Sequence, residues 1–136
     1  MIATYPHDPA AFTEGLLLED GRLYESTGLY GKSTLREVDL DTGVVLRSIS
    51  LPDAFFGEGI ALVDDRILQL TWQEDTALVY DRETFNQVGS MPYSAEGWGM
   101  CYDGESIYTS DGSADITRRD ATTLAALDAI TVVMDG

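Results

Sequence analysis

The chain is poor in the residues that usually announce chemistry. In 136 residues it has one cysteine, one histidine and two tryptophans. A lone cysteine, Cys101, allows no disulfide within the chain and no cysteine metal cluster, and its place in an apolar run predicts a small core residue. Basic side chains are also scarce: eight Lys and Arg stand against 24 Asp and Glu, a net charge of −16. Such a surface repels nucleic acid and anionic lipid, so neither is an expected partner. No apolar run approaches the ~20 residues of a membrane-spanning helix. The N-terminus carries no basic stretch followed by an apolar core, so no signal peptide is expected.

Several motifs fail on spacing. Gly31-Lys32-Ser33 has the ending of a phosphate-binding loop, but Ser26 stands where its first glycine belongs and no helical pattern follows. There is no Gly-x-Ser-x-Gly elbow, and His7 has no nucleophile partner. His7 beside Asp8 reads as a hydrogen-bonded turn residue. The acidic clusters at Asp39–Asp41 and Asp64-Asp65 lack the spacing of a calcium loop. No metal or other cofactor is expected.

What the chain does have is repetition. Hydrophobic residues make up 44% and fall in short runs separated by Gly and Asp turns. Phe12-Thr13-Glu14-Gly15, Phe56-Gly57-Glu58-Gly59 and Ala95-Glu96-Gly97-Trp98 each open such a run, and their glutamates lie 44 and 38 residues apart. Asp39, Asp81 and Asp120 each precede a threonine by three residues, and lie 42 and 39 apart. Their side chains are expected to bond nearby backbone in turns.

Within the first unit, Leu16–Leu18 reads as a buried strand, Asp20-Gly21 as a hairpin turn and Arg22–Thr27 as its partner. Thr34–Asp39 and Val44–Leu51 supply two more strands. The second unit repeats this at Ile60–Val63, Ile67–Trp72, Ala77–Asp81 and Phe85–Met91. The third has Gly99–Tyr102, Ser106–Ser110, Ile116–Asp120 and Ala129–Met134, with Leu124–Ala129 as a competing short helix.

Four short strands per unit of roughly 40 residues is the signature of propeller blades. The expectation is an all-β chain, one partial β-propeller domain over 1–136, with repeats near 12–52, 56–92 and 95–136. Three blades do not close a ring, and Asp135-Gly136 is itself a turn signal. The chain therefore reads as a fragment, or as one that self-associates through open blade edges.

In a propeller the first strand of each blade lines the central channel. Glu14, Glu58 and Glu96, if equivalent, converge there among Phe12, Phe55, Phe56, Trp72 and Trp98. Crowding and burial raise carboxyl proton affinity, and an aromatic pocket around such a group is an active-site candidate. The alternative is structural: glutamates that satisfy backbone donors, and aromatics that fill blade interfaces.

Tyr5-Pro6-His7-Asp8-Pro9 with Ala11-Phe12-Thr13, Gly28-Leu29-Tyr30-Gly31 with Ser33, Phe56-Gly57-Glu58-Gly59, Leu70-Thr71-Trp72 and Glu96-Gly97-Trp98-Gly99 occur in an order that resembles the plant- and bacterial-type glutaminyl cyclases (glutamine cyclotransferases). The resemblance runs over essentially the whole chain. It implies a five-bladed β-propeller, of which about three blades are here, and a secreted or periplasmic setting. It also implies a metal-independent enzyme that converts the N-terminal glutamine of a peptide or protein to pyroglutamate and releases ammonia. Glu58 then matches the catalytic glutamate, while Phe12, Phe56, Trp72 and Trp98 match pocket aromatics. The tryptophan N–H groups are expected to donate to the substrate carbonyl.

Two departures qualify the likeness. The family commonly has glutamine where this chain has Glu14, whose expected role is to bind the substrate amine or, alternatively, to compete with Glu58 for the proton. The C-terminal part, which brings the family pocket a further tryptophan and a lysine, is absent, so little or no activity is expected of this chain alone. The competing function is a non-catalytic propeller that binds a peptide N-terminus or another small ligand.

Overall fold

In a computed structural model the described residues are 2–134, and they form three four-stranded antiparallel sheets without a helix. The first blade has β1 (Thr13–Glu19), β2 (Arg22–Thr27), β3 (Thr34–Val38) and β4 (Val45–Ser50). The second has β5 (Gly57–Val63), β6 (Arg66–Thr71), β7 (Thr76–Asp81) and β8 (Gln87–Pro92). The third has β9 (Met100–Tyr102), β10 (Ser106–Ser110), β11 (Asp115–Asp120) and β12 (Ala126–Thr131). Each sheet runs in chain order from inner to outer strand, as a propeller blade does.

Local chemistry accounts for the turns. Asp20 and Gly21 have φ of 51° and 75°, which matches the right-handed twist of the hairpin they join. Between the third and fourth strands of every blade, an aspartate accepts from the backbone N–H and hydroxyl of the threonine three residues on. The Asp39–Thr42 pair does so at 2.8 and 2.6 Å, Asp81–Thr84 at 2.7 and 2.8 Å, and Asp120–Thr123 at 2.8 and 3.0 Å. The residue after the threonine has positive φ: Gly43 in the first blade, but Phe85 (62°) and Leu124 (61°) in the others. A side chain pays for that conformation, and both are held in it by burial in the interblade cores.

This turn overturns the helical alternative at Leu124–Ala129. Leu124 is left-handed and β12 begins at Ala126, three residues before the expected strand at Ala129. The expected turn at Asp135-Gly136 lies outside the described residues.

Two apolar cores sit between the blades. Tyr24, Leu35, Ile60, Ile67, Leu78 and Phe85 join the first and second, while Leu68, Leu70, Val79, Tyr93, Ile107 and Leu124 join the second and third. The middle blade is therefore covered on both faces. Its inner strand β5 is buried almost throughout, whereas β1 is largely open. Leu16 and Leu18 are more than half exposed, so the expected buried strand is only half right. Leu17 alone of the three packs towards the second blade. Cys101 is likewise exposed on β9 rather than in the core, because no further sheet covers that face.

The N-terminal segment is tied to the first blade by polar contacts. His7 Nε2 lies 2.8 Å from Glu25 Oε1, the Thr13 hydroxyl donates to the same oxygen at 2.6 Å, and Arg36 donates to Asp8 at 3.0 Å. Glu25 is buried, so His7 has a buried carboxylate as well as Asp8 for company. These bonds set the start of β1, and with it Phe12 and Glu14.

Candidate active site

Strand register shows which inner-strand positions are equivalent. Leu16 pairs with Glu25, Ile60 with Gln69 and Met100 with Thr109. Those partners each stand two residues beyond Leu23, Ile67 and Ile107, which pair with the third strands at Val38, Tyr80 and Arg119. Counting back two from the inner residues gives Glu14, Glu58 and Trp98. Counting back four gives Phe12, Phe56 and Glu96. The third Glu-Gly pair is thus displaced by two residues, and Trp98-Gly99 takes its place. The expected threefold equivalence of the glutamates holds for Glu14 and Glu58 only.

Glu14 and Glu58 both sit in β-bulges. Register shifts between Thr13 and Gly15, and between Gly57 and Ile60, let two residues oppose one across the hairpin. A bulge re-aims the side chain it carries. The glycine after Glu58 is needed for a different reason: its N–H donates to the Trp98 carbonyl at 2.8 Å, and a Cβ there would lie 2.5 Å from that oxygen. The inner strands of neighbouring blades approach too closely for any side chain.

Around these carboxyls the aromatics meet edge to face. Phe56 lies 6.1 Å from Phe12 at 88°, 5.7 Å from Trp72 at 61° and 5.5 Å from Tyr30 at 71°, between ring centroids. Gly28 makes room for this ring, since a Cβ there would meet it at 2.3 Å. Phe12, Glu14, Phe56, Glu58, Trp72 and Trp98 together line one depression of about 380 Å³. Six of the eight carboxylate and aromatic residues expected on the channel therefore line it together. Phe55 does not join them; it packs against the core between the first two blades.

Glu58 is 8% exposed. Burial pushes its carboxyl up to about 8, helped by the charge of Glu14, a hydrogen bond with Glu14, and the charges of Glu74 and Glu96. Glu14 is also raised, by burial, with the bond to Glu58 opposing the shift. Near neutral pH the pair therefore keeps a proton on Glu58. Glu96 goes the other way. Gln73 donates to its Oε1 at 2.9 Å, and Trp98 and Trp72 donate to its Oε2 at 3.3 Å each; these bonds hold it below the usual range.

Three contributors had no signal as site residues in the sequence. The Tyr30 hydroxyl donates to Glu74 Oε1 at 2.7 Å, and the Phe56 N–H donates to Glu74 Oε2 at 3.4 Å, so Glu74 ties two aromatics together. Gln73 braces Glu96. Tyr30 lies in a stretch that carries the family resemblance, but nothing in the spacing connects it with Phe56. Both tryptophan N–H groups, expected to face a substrate carbonyl, are engaged by Glu96 instead. Among the described residues no group of three or more His, Cys, Asp or Glu side chains is arranged to hold a metal ion.

Comparison with known proteins adds a family to this geometry. The Arabidopsis thaliana glutaminyl-peptide cyclotransferase is 40% identical over 130 residues, which is 94% of this chain and 41% of that protein. The crystal structure of Myxococcus xanthus glutaminyl cyclase superposes with a TM-score of 0.85 at 32% identity, over 95% of this chain and 54% of that one. The Neurospora crassa Pan2 WD40 domain shares the fold alone, with a TM-score of 0.71 at 15% identity over 88% of this chain and 36% of that one. This chain thus spans between two-fifths and just over half the length of these two cyclase relatives. The family model for glutamine cyclotransferase matches residues 1–136, the whole length, and on that match the chain belongs to the glutamine cyclotransferase family.

Proposed function

We propose that this chain carries the paired-carboxyl and aromatic part of a glutaminyl-peptide cyclotransferase site, within one partial propeller domain over 1–136. The observation that carries this reading is the proton-holding Glu58, set beside Glu14 in a depression walled by four aromatic rings. The substrate is a peptide or protein with an N-terminal glutamine.

The reaction joins the α-amine nitrogen to the side-chain carboxamide carbon and breaks the bond from that carbon to the amide nitrogen, which leaves as ammonia. The attacking nitrogen must lose a proton and the leaving nitrogen must gain one. Glu58 can serve both needs, giving its proton to the departing nitrogen and taking one from the new ring nitrogen. Its value of about 8 is close to the ~7.7–8.0 of a free α-amine, so proton exchange between them costs little. Glu14, one bulge away, receives the amine. The aromatic walls exclude water and hold the flat carboxamide against the amine.

Turnover is tested by ammonia release from a peptide with N-terminal glutamine. The assay uses this chain and any longer product of its gene, each with and without Glu58→Gln. Equal turnover by the Gln variant would sink the mechanism. A second reading rests on the openness of the depression, where Phe12 and Trp98 are 48% and 47% exposed. In that reading this chain alone binds a peptide N-terminus without turning it over, and calorimetry with a non-cyclising N-terminal peptide would detect it.

A further inference from the structure

Glu96 occupies, in the third blade, the position that Phe12 and Phe56 hold in the first two. There it does not extend the edge-to-face ring contacts but takes up hydrogen bonds from both tryptophans of the chain. One oxygen, Oε2, accepts from Trp72 Nε1 of the second blade and from Trp98 Nε1 of the third, while the other accepts from Gln73. We propose that Glu96 is a positioning residue, a carboxylate clamp that fixes the angle between the Trp72 and Trp98 walls and turns their π faces, not their N–H groups, towards the ligand. As a role in catalysis this rests on the reading of the depression as a substrate slot.

The need for a carboxylate follows from the donor count. Three N–H donors converge on two oxygens, and an ionised carboxylate has acceptor sites for all of them. Glutamine offers one acceptor oxygen and turns a donor towards one of the three, so at least one bond is lost. Charge-assisted bonds of this kind are also stronger than neutral ones. With both indoles engaged, recognition of a ligand carbonyl falls to other groups. The slot then selects for a flat group that stacks between two rings, with its amine towards Glu14.

Trp72 and Trp98 are the only tryptophans in the chain, so intrinsic fluorescence reads the clamp directly and without substrate. Fluorescence of this chain, titrated from about pH 7 to about pH 3, is expected to show a transition centred below the 4.5 of an ordinary glutamate. The Trp72→Phe and Trp98→Phe variants should each keep it, because each remaining indole reports the same carboxylate. Glu96→Gln should lose it. Asp111, whose charge opposes ionisation of Glu96 and which precedes the Gly112 that packs against the Trp98 ring, is the control: Asp111→Asn should keep the transition. Acrylamide quenching at neutral pH, where acid has no part, should rise for both indoles in Glu96→Ala. The clamp is overturned if the transition survives Glu96→Gln, vanishes with Asp111→Asn, or is confined to one indole. It is equally overturned if quenching in Glu96→Ala rises for one indole only. These measurements stand or fall apart from turnover, so a failed cyclisation assay and a failed clamp are separable.

Discussion

Glu58 and Glu96 each open a Glu-Gly pair at the head of a blade, yet the fold gives them opposite states. Glu58 sits in the β5 bulge between two covered blade faces, loses its water and keeps a proton up to about pH 8. Glu96 lies four residues before Met100, at the exposed rim, and three N–H donors keep it ionised. The same dipeptide thus yields an acid in one blade and an anchor for aromatic walls in the next. What separates them is a two-residue difference in register and the presence of a neighbouring sheet, not the residues themselves.

The sharpest way to break the comparison is at the proton that Glu58 keeps. Glu58→Gln in an active form of the protein should lower turnover by about 10²–10⁴-fold, the usual reach of general acid–base catalysis, measured as ammonia release. A Glu58→Gln variant with full turnover would mean that Glu58 is not the group that moves the proton.

A second contrast lies in the glycines that follow Glu58 and Trp98. A Cβ on Gly59 would meet the backbone of the third blade at 2.5 Å, whereas one on Gly99 would meet only the Ser110 hydroxyl at 3.0 Å. Gly59→Ala should therefore cost several kcal/mol in denaturant unfolding and Gly99→Ala about 1 kcal/mol or less. Equal costs would contradict the close approach of β5 to the third blade.

Next comes the pH dependence of stability. An acid whose folded value is raised above 4.5 keeps its stabilising share below that pH and loses it as pH climbs through about 8. Glu58→Gln removes this loss. The variant should match the parent near pH 4 and exceed it by a few kcal/mol above pH 8, in urea melts across that window. A parent that is the more stable at pH 8 would show that burial of Glu58 is not the dominant cause.

The smallest expected change comes from Glu14→Gln, which restores the residue common in the resembling family. It removes a like charge and leaves burial, the larger cause, in place. The Glu58 midpoint should fall by about 1 unit, readable by carbon NMR of the carboxyl, and remain well above 4.5. A fall all the way to the ordinary value would mean that Glu14, not burial, holds the proton.

Much of this was legible in the chain. Asp-Gly turns and the Asp-x-x-Thr pairs act through bonds within a few residues, so nine strands fall within two residues of their expected places, while β1 and β5 begin three residues early, ahead of their bulges. The twelfth was misread because Leu124-Ala125-Ala126 has the composition of a helix, and only packing of Leu124 into the interblade core holds it at positive φ. The six pocket residues were also legible, through the repeat and the family resemblance together. Tyr30, Gln73 and Glu74 were not, because their partners are far along the chain and belong to no periodic pattern.

The sequence by itself determined the number of strands, the local turns and the residue types that meet in the depression, since these depend on neighbours within one hairpin. The tertiary structure alone decided that Trp98 rather than Glu96 is the counterpart of Glu58, that Leu16 and Cys101 face outward, and which carboxyl keeps its proton. The first depends on the register of β9 against β10, and the other two on what an adjacent blade covers; water removed by a neighbouring sheet leaves no trace in the order of residues.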